Sequence, residues 1–109
     1  MYSLLVAIVR YVDGSFPGWV ECQFSDAQGR AHVIVEKAPV VTARELGPQS
    51  VYPTQGAIPC EILDRYRDEN GRDLVHVTTE NPCSIESSEG LCSFIVPANL
   101  VVPVSGTTR

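Results

Sequence analysis

The side chains able to do chemistry in this chain are few and widely spaced: Cys22, Cys60, Cys83 and Cys92, the histidines His32 and His76, and scattered acids that include Glu86. A structural zinc site needs ligands clustered in pairs such as C-x-x-C, and the sequence has no such pair. Cys22 lies between Val20 and Phe24 on one alternating face, and Cys60 between Ile58 and Ile62. That is the setting of a free thiol packed as a small hydrophobe. Cys83 and Cys92 flank residues 84–91, and a hairpin loop there would bring them close enough for a disulfide. His32, His76 and Cys83 remain weak metal candidates, and Cys83 with His76 a candidate thiolate pair if the fold joins them. No G-x-S-x-G elbow, H-E-x-x-H pair, phosphate-cradling glycine loop or dinucleotide fingerprint occurs. The expectation is a protein that is not an enzyme and carries no cofactor.

Other residues suit macromolecular contact. Trp19 alternates out of phase with the inner positions of its strand; exposed tryptophans anchor interfaces, and the alternative is that it covers the end of a barrel. Arg65, Tyr66 and Arg67 sit among acids just before a turn, a mixture suited to a protein surface or simply to a solvated tip. Residues 80–89 are acidic and serine-rich, and with Asp64, Asp68, Glu69 and Asp73 they could form a negative patch.

These side chains are positioned by what reads as one module used twice. Residues 18–39 and 56–82 each run from a Gly through a β-branched residue and a Cys, turn through Asp-x-x-Gly-Arg, return through two alternating valines and close on a Pro. Alternation of Val20, Cys22 and Phe24 with polar residues predicts a half-exposed strand, and Asp26-Ala27-Gln28-Gly29 a tight reversal. Counting that reversal as four residues puts Ala31, Val33 and Val35 on the inner face and His32 and His76 on the outer face of the return arms. Asn70-Gly71 predicts a second hairpin, whose longer outgoing arm implies a bulge or a twisted tip.

Residues 2–12 are apolar on both faces and read as a buried strand covered on two sides. Residues 42–47 could form one helical turn capped by Thr42, and Val51-Tyr52 a short strand. Residues 91–96 and 100–104 read as final strands, the last limited by Pro103. The fold class is therefore all-β with little helix: a small barrel or rolled antiparallel sheet built from a duplicated β-hairpin module. Residues 1–104 form the single domain, with repeats at about 16–53 and 54–97 and a flexible tail at 105–109.

A chain of 109 residues suits one core and no separate catalytic domain. A net charge of −5 argues against nucleic acid or an anionic membrane as partner. The apolar run at residues 4–9 lacks the flanks of a signal peptide and the length of a membrane span, so a cytoplasmic protein with reduced thiols is expected. In general appearance the chain resembles small bacterial β-barrel proteins, a likeness that carries no activity with it. The leading expectation is a protein-binding or regulatory module of the inhibitor or immunity type, with a protein partner. A small-ligand or metal-binding barrel, or a modest hydrolase, is the alternative, its site among His32, His76, Cys83 and Glu86.

Overall fold

The computed structural model describes residues 1–104; the tail expected at 105–109 lies outside the described residues. The described strands are β1 (Tyr2–Asp13), β2 (Trp19–Ser25), β3 (Ala31–Lys37), β4 (Thr54–Arg67), β5 (Asp73–Thr78), β6 (Ser93–Pro97) and β7 (Val101–Pro103). They form one antiparallel sheet in the order β3-β2-β1-β4-β5-β6, with β7 paired to β1. β1 is the hub. Residues 2–8 pair with β4 on one edge; on the other, residues 7–13 pair with β2 and residues 2–4 with β7. Among the described residues, none pairs with residues 5 and 6 on that second edge.

The sheet curls into a half-barrel. Its outer strands are linked by a turn and a loop rather than by a ladder. Ala27 N donates to Ile95 O, and Ser88 N donates to Val33 O, each at 2.8 Å. Arg30 pairs with Glu89 across the same seam. Polar groups on strands that would otherwise be bare edges are thereby occupied, which limits pairing between molecules.

The concave face holds the core: Leu4, Val6 and Ile8 of β1, Val20, Cys22 and Phe24 of β2, Ile58 and Cys60 of β4, Val75 and Val77 of β5, Phe94 and Val96 of β6. Period-two alternation of apolar residues produces this face, and each large side chain so buried stabilises by about 1.5–3 kcal/mol. Burial pushes the Cys22 thiol up to about 12, with help from Glu36 and Glu21. Burial alone pushes Cys60 up to about 11. Both are packing residues with unreactive thiols.

Four expectations are corrected. On β1 only one face is buried: Ala7 is exposed and Leu5 and Val9 are half-buried, because no second layer covers the convex side there. On β3 the inner positions are His32 and Ile34, while Val35 is exposed. Asp26 and Arg30 face each other, enclosing a loop of three residues rather than four, so Phe24 opposes His32 and Cys22 opposes Ile34. The helical turn forms at α1 (Ala38–Val41), with Pro39 in its first turn, and Thr42 caps its end. Thr42 Oγ1 accepts from Arg44 N at 3.2 Å instead of starting a helix. Val51 and Tyr52 lie in irregular chain ahead of β4.

Candidate functional site

Both hairpins turn in the same way. Asp26 N donates to Arg30 O at 2.9 Å and Gly29 N to Asp26 O at 2.9 Å; in the second, Asp68 N donates to Arg72 O and Gly71 N to Asp68 O, each at 3.0 Å. Gly29 and Gly71 take φ of 83° and 82°, the left-handed position of a three-residue loop. Asn70-Gly71 thus serves this loop and not a two-residue turn, since Asn70 keeps a negative φ. Each Asp Oδ1 accepts from two backbone amides, those of Gln28 and Arg30 or of Asn70 and Arg72.

The second carboxylate oxygen separates the turns. Asp26 Oδ2 lies 2.8 Å from His32 Nε2, which donates to it. Burial opposes the Asp26 charge, yet the bonds from His32 and from the amides of Arg30 and Gln28 outweigh it and hold the carboxyl below its usual range. Asp68 Oδ2 instead accepts from Arg72 Nε at 2.9 Å, and the backbone and side chain of Arg72 lower its pKa. His32 is 4 % exposed, against Phe24 and Phe94 with ring centroids 5.3 and 4.9 Å away. Its Nδ1 is buried and has no hydrogen-bond partner among the described residues.

The two turns border one cleft of about 510 Å³. One rim carries Asp26, Arg30 and His32, the other Asp68 and Arg72; the floor is the outward face of the β4–β6 sheet with Tyr66, Leu74, His76 and Ile95. His76 Nε2 contacts Ser93 Oγ. Tyr66, Leu91 and Ile95 are 41, 38 and 40 % exposed, three apolar surfaces around a polar-rimmed hollow. A larger, open groove of about 740 Å³ lies across the sheet gap beside β1 residues 5 and 6. Its lining is mostly apolar, and Asp26 is the one ionisable side chain among the described residues that line it.

The sequence candidates distribute unevenly over these features. His32 and His76 line the same cleft, as does Tyr66. Cys83 is exposed in the loop after β5, and Glu86 lines a separate hollow with Cys92 and Glu80, so the four residues of the ligand or hydrolase reading do not share one site. Cys83 and Cys92 are both free. The Cys92 thiol donates to Glu80 at 3.7 Å, and burial and Glu80 raise its pKa. Among the described residues no group of three or more His, Cys, Asp or Glu could hold a metal ion. Arg65 stacks on Tyr2, its guanidinium carbon 5.6 Å from the ring centre, and Arg67 pairs with Asp73 at 3.0 Å. Trp19 stands at the start of β2, half-buried beneath Lys37 Nζ at 5.3 Å. The length of that strand, about 20 Å, separates it from the cleft. Sequence reasoning missed Asp26, Arg72 and Ser93 as cleft residues; the two Asp-x-x-Gly-Arg signals marked two of them, but only the curl of the sheet joins the turns.

The class these features define is an all-β protein, a curled antiparallel half-barrel with a cleft between two like turns. No family model, curated protein or solved structure matches the chain. No helix among the described residues is long and apolar enough to cross a membrane.

Proposed function

We propose that this chain is a protein-binding or regulatory module whose contact surface is the cleft between the two turns. The observation that carries the reading is the grouping of exposed Tyr66, Leu91 and Ile95 around charges that already have partners. Aromatic and apolar anchors ringed by satisfied polar groups suit a protein interface. Arg65, stacked on Tyr2, and Arg67, paired with Asp73, alternate with Tyr66 along β4 and face the other side of the sheet, outside this surface. The net charge of −5 favours a neutral or basic partner in the cytoplasm. The shared turn geometry also supports the reading of the chain as a duplicated hairpin module.

The test compares capture from the source extract by the native protein and by a Tyr66→Ala, Ile95→Ser variant, both folded by circular dichroism. A partner held by the first and lost by the second supports the surface. Equal capture by both removes it. A hydrolase is the second reading, favoured by the Ser93–His76 contact. Covalent labelling of Ser93 by a fluorophosphonate, abolished in His76→Gln, would support it; an unlabelled chain would end it.

A further inference from the structure

Asn70-Gly71 closes the second hairpin at an exposed tip. A Cβ added at Gly71 would meet nothing within 4 Å, so no neighbouring group shields the peptide nitrogen there. That nitrogen can reach the Asn70 carboxamide carbon in a five-membered ring, and glycine, having no side chain, leaves the approach unhindered. Each of the other two asparagines lacks a requirement. Asn81 precedes Pro82, whose nitrogen carries no hydrogen. Asn99 precedes the bulky Leu100 inside a 3-10 turn (Ala98–Leu100).

The fold restrains the attacking atom. Gly71 N donates to Asp68 O at 3.0 Å, and Asp68 Oδ1 accepts from the amides of Asn70 and Arg72, each at 2.9 Å. The tip closes its charges on itself through Asp68 and Arg72, and the register shift between Ile62 and Asp64 sets it apart from the core ladder. A turn so placed opens while the rest of the sheet stays paired.

We propose that Asn70 is a site of spontaneous deamidation, gated by the opening of this turn, and that its product alters one rim of the cleft. Once the bond to Asp68 O parts, hydroxide takes the Gly71 N–H proton and the nitrogen attacks Asn70 Cγ. A new C–N bond forms, the Cγ–Nδ2 bond breaks, and the amide group leaves as ammonia after taking a proton from water. Solvent water then opens the cyclic imide at either carbonyl, giving aspartate or isoaspartate, with no oxidation or reduction. Isoaspartate puts one extra backbone atom between the two amides that share Asp68 Oδ1. The loop that fits both to one oxygen is broken, and Arg72 loses its fixed partner. Either product adds a negative charge beside Asp68. This chemistry is independent of whether a partner occupies the cleft.

Ageing the whole chain in warm, mildly alkaline buffer tests it, read by intact mass, peptide mapping and methylation by an isoaspartyl methyltransferase. The native chain should gain one mass unit at Asn70 and none at Asn81 or Asn99, faster as pH rises, with isoaspartate among the products. Asp68→Ala, which keeps the backbone carbonyl but removes the carboxylate clamp, should react several-fold faster. Asn70→Ser should keep its mass. In the aged fraction the amide signals of Gly71 and Arg72 should shift while those of β2 stay in place. A native chain that keeps its mass while the chain unfolded in urea converts, an Asp68→Ala variant no faster than the native chain, or a mass gain that persists in Asn70→Ser would overturn the proposal.

Discussion

Hairpins β2–β3 and β4–β5 share a turn, with the same glycine conformation and the same amide bonds to the aspartate, yet only one is drawn into the core. At matching distances from the turn, Phe24 opposes His32 in the first and Tyr66 opposes Leu74 in the second. Phe24 and His32 are buried; Tyr66 is exposed. The first turn sends Asp26 inward to His32 and Arg30 across the seam to Glu89, whereas the second closes its charges on itself through Asp68 and Arg72. A bulge at Leu63 of β4, where the register shifts between Ile62 and Asp64, separates the second tip from the core ladder. Identical local chemistry therefore serves one turn as an anchor and the other as a free tip, and the third partner of each aspartate marks the difference.

That contrast can be broken at several depths. Phe24→Ala should cost about 3–5 kcal/mol in denaturant unfolding by removing buried aromatic contacts with His32 and Phe94, while Tyr66→Ala should cost far less; similar losses at both sites would contradict the assignment of anchor and tip. Asp26→Ala should cost about 1–3 kcal/mol, since it strips a buried imidazole of its hydrogen bond, with a smaller loss for Asp68→Ala. The pH dependence carries a sign. Both carboxyls have lowered pKa values in the folded state, so their stabilisation is present above the ordinary carboxylate pKa of about 3.9 and is lost as pH falls through the folded values. Asp26→Asn should flatten the acid limb of the stability curve. Gly29→Ala and Gly71→Ala should each cost about 1 kcal/mol, because both glycines are left-handed with open space around them. Unequal costs would show that the turns differ in more than their third partner. Smallest of all, breaking the exposed Arg30–Glu89 pair by Glu89→Ala should change stability by less than about 1 kcal/mol and vanish at high salt.

The features readable from the sequence were those set by short-range chemistry. Alternation at Val20, Cys22 and Phe24 marked β2 and its inner face, and the Asp-x-x-Gly-Arg signals marked both reversals. The sequence pattern puts His32 outward because a loop of four residues and a loop of three send the return arm to opposite faces, and parity propagates along the whole strand. The convex face of β1 looks covered in the sequence because Leu5, Ala7 and Val9 are as apolar as its core positions, and periodicity does not report whether a second layer exists. The cleft was out of reach altogether. Asp26 and His76 are fifty residues apart in sequence, and they meet through the order of six strands, which no local signal encodes.

The seam between β3 and β6 has a further consequence. What joins these strands is a pair of backbone contacts, one exposed ion pair and the packing of Phe94 against His32 and Phe24. The ladder from β3 through β1 to β6 survives if these contacts part, so the molecule has a route to breathe along one line while the sheet stays whole. Amide exchange should show this as early loss of protection at Ala27 and Ser88, on a timescale where Val6 and Val77 are still shielded. The His32 ring, sealed under static conditions, would meet solvent through that opening rather than through unfolding.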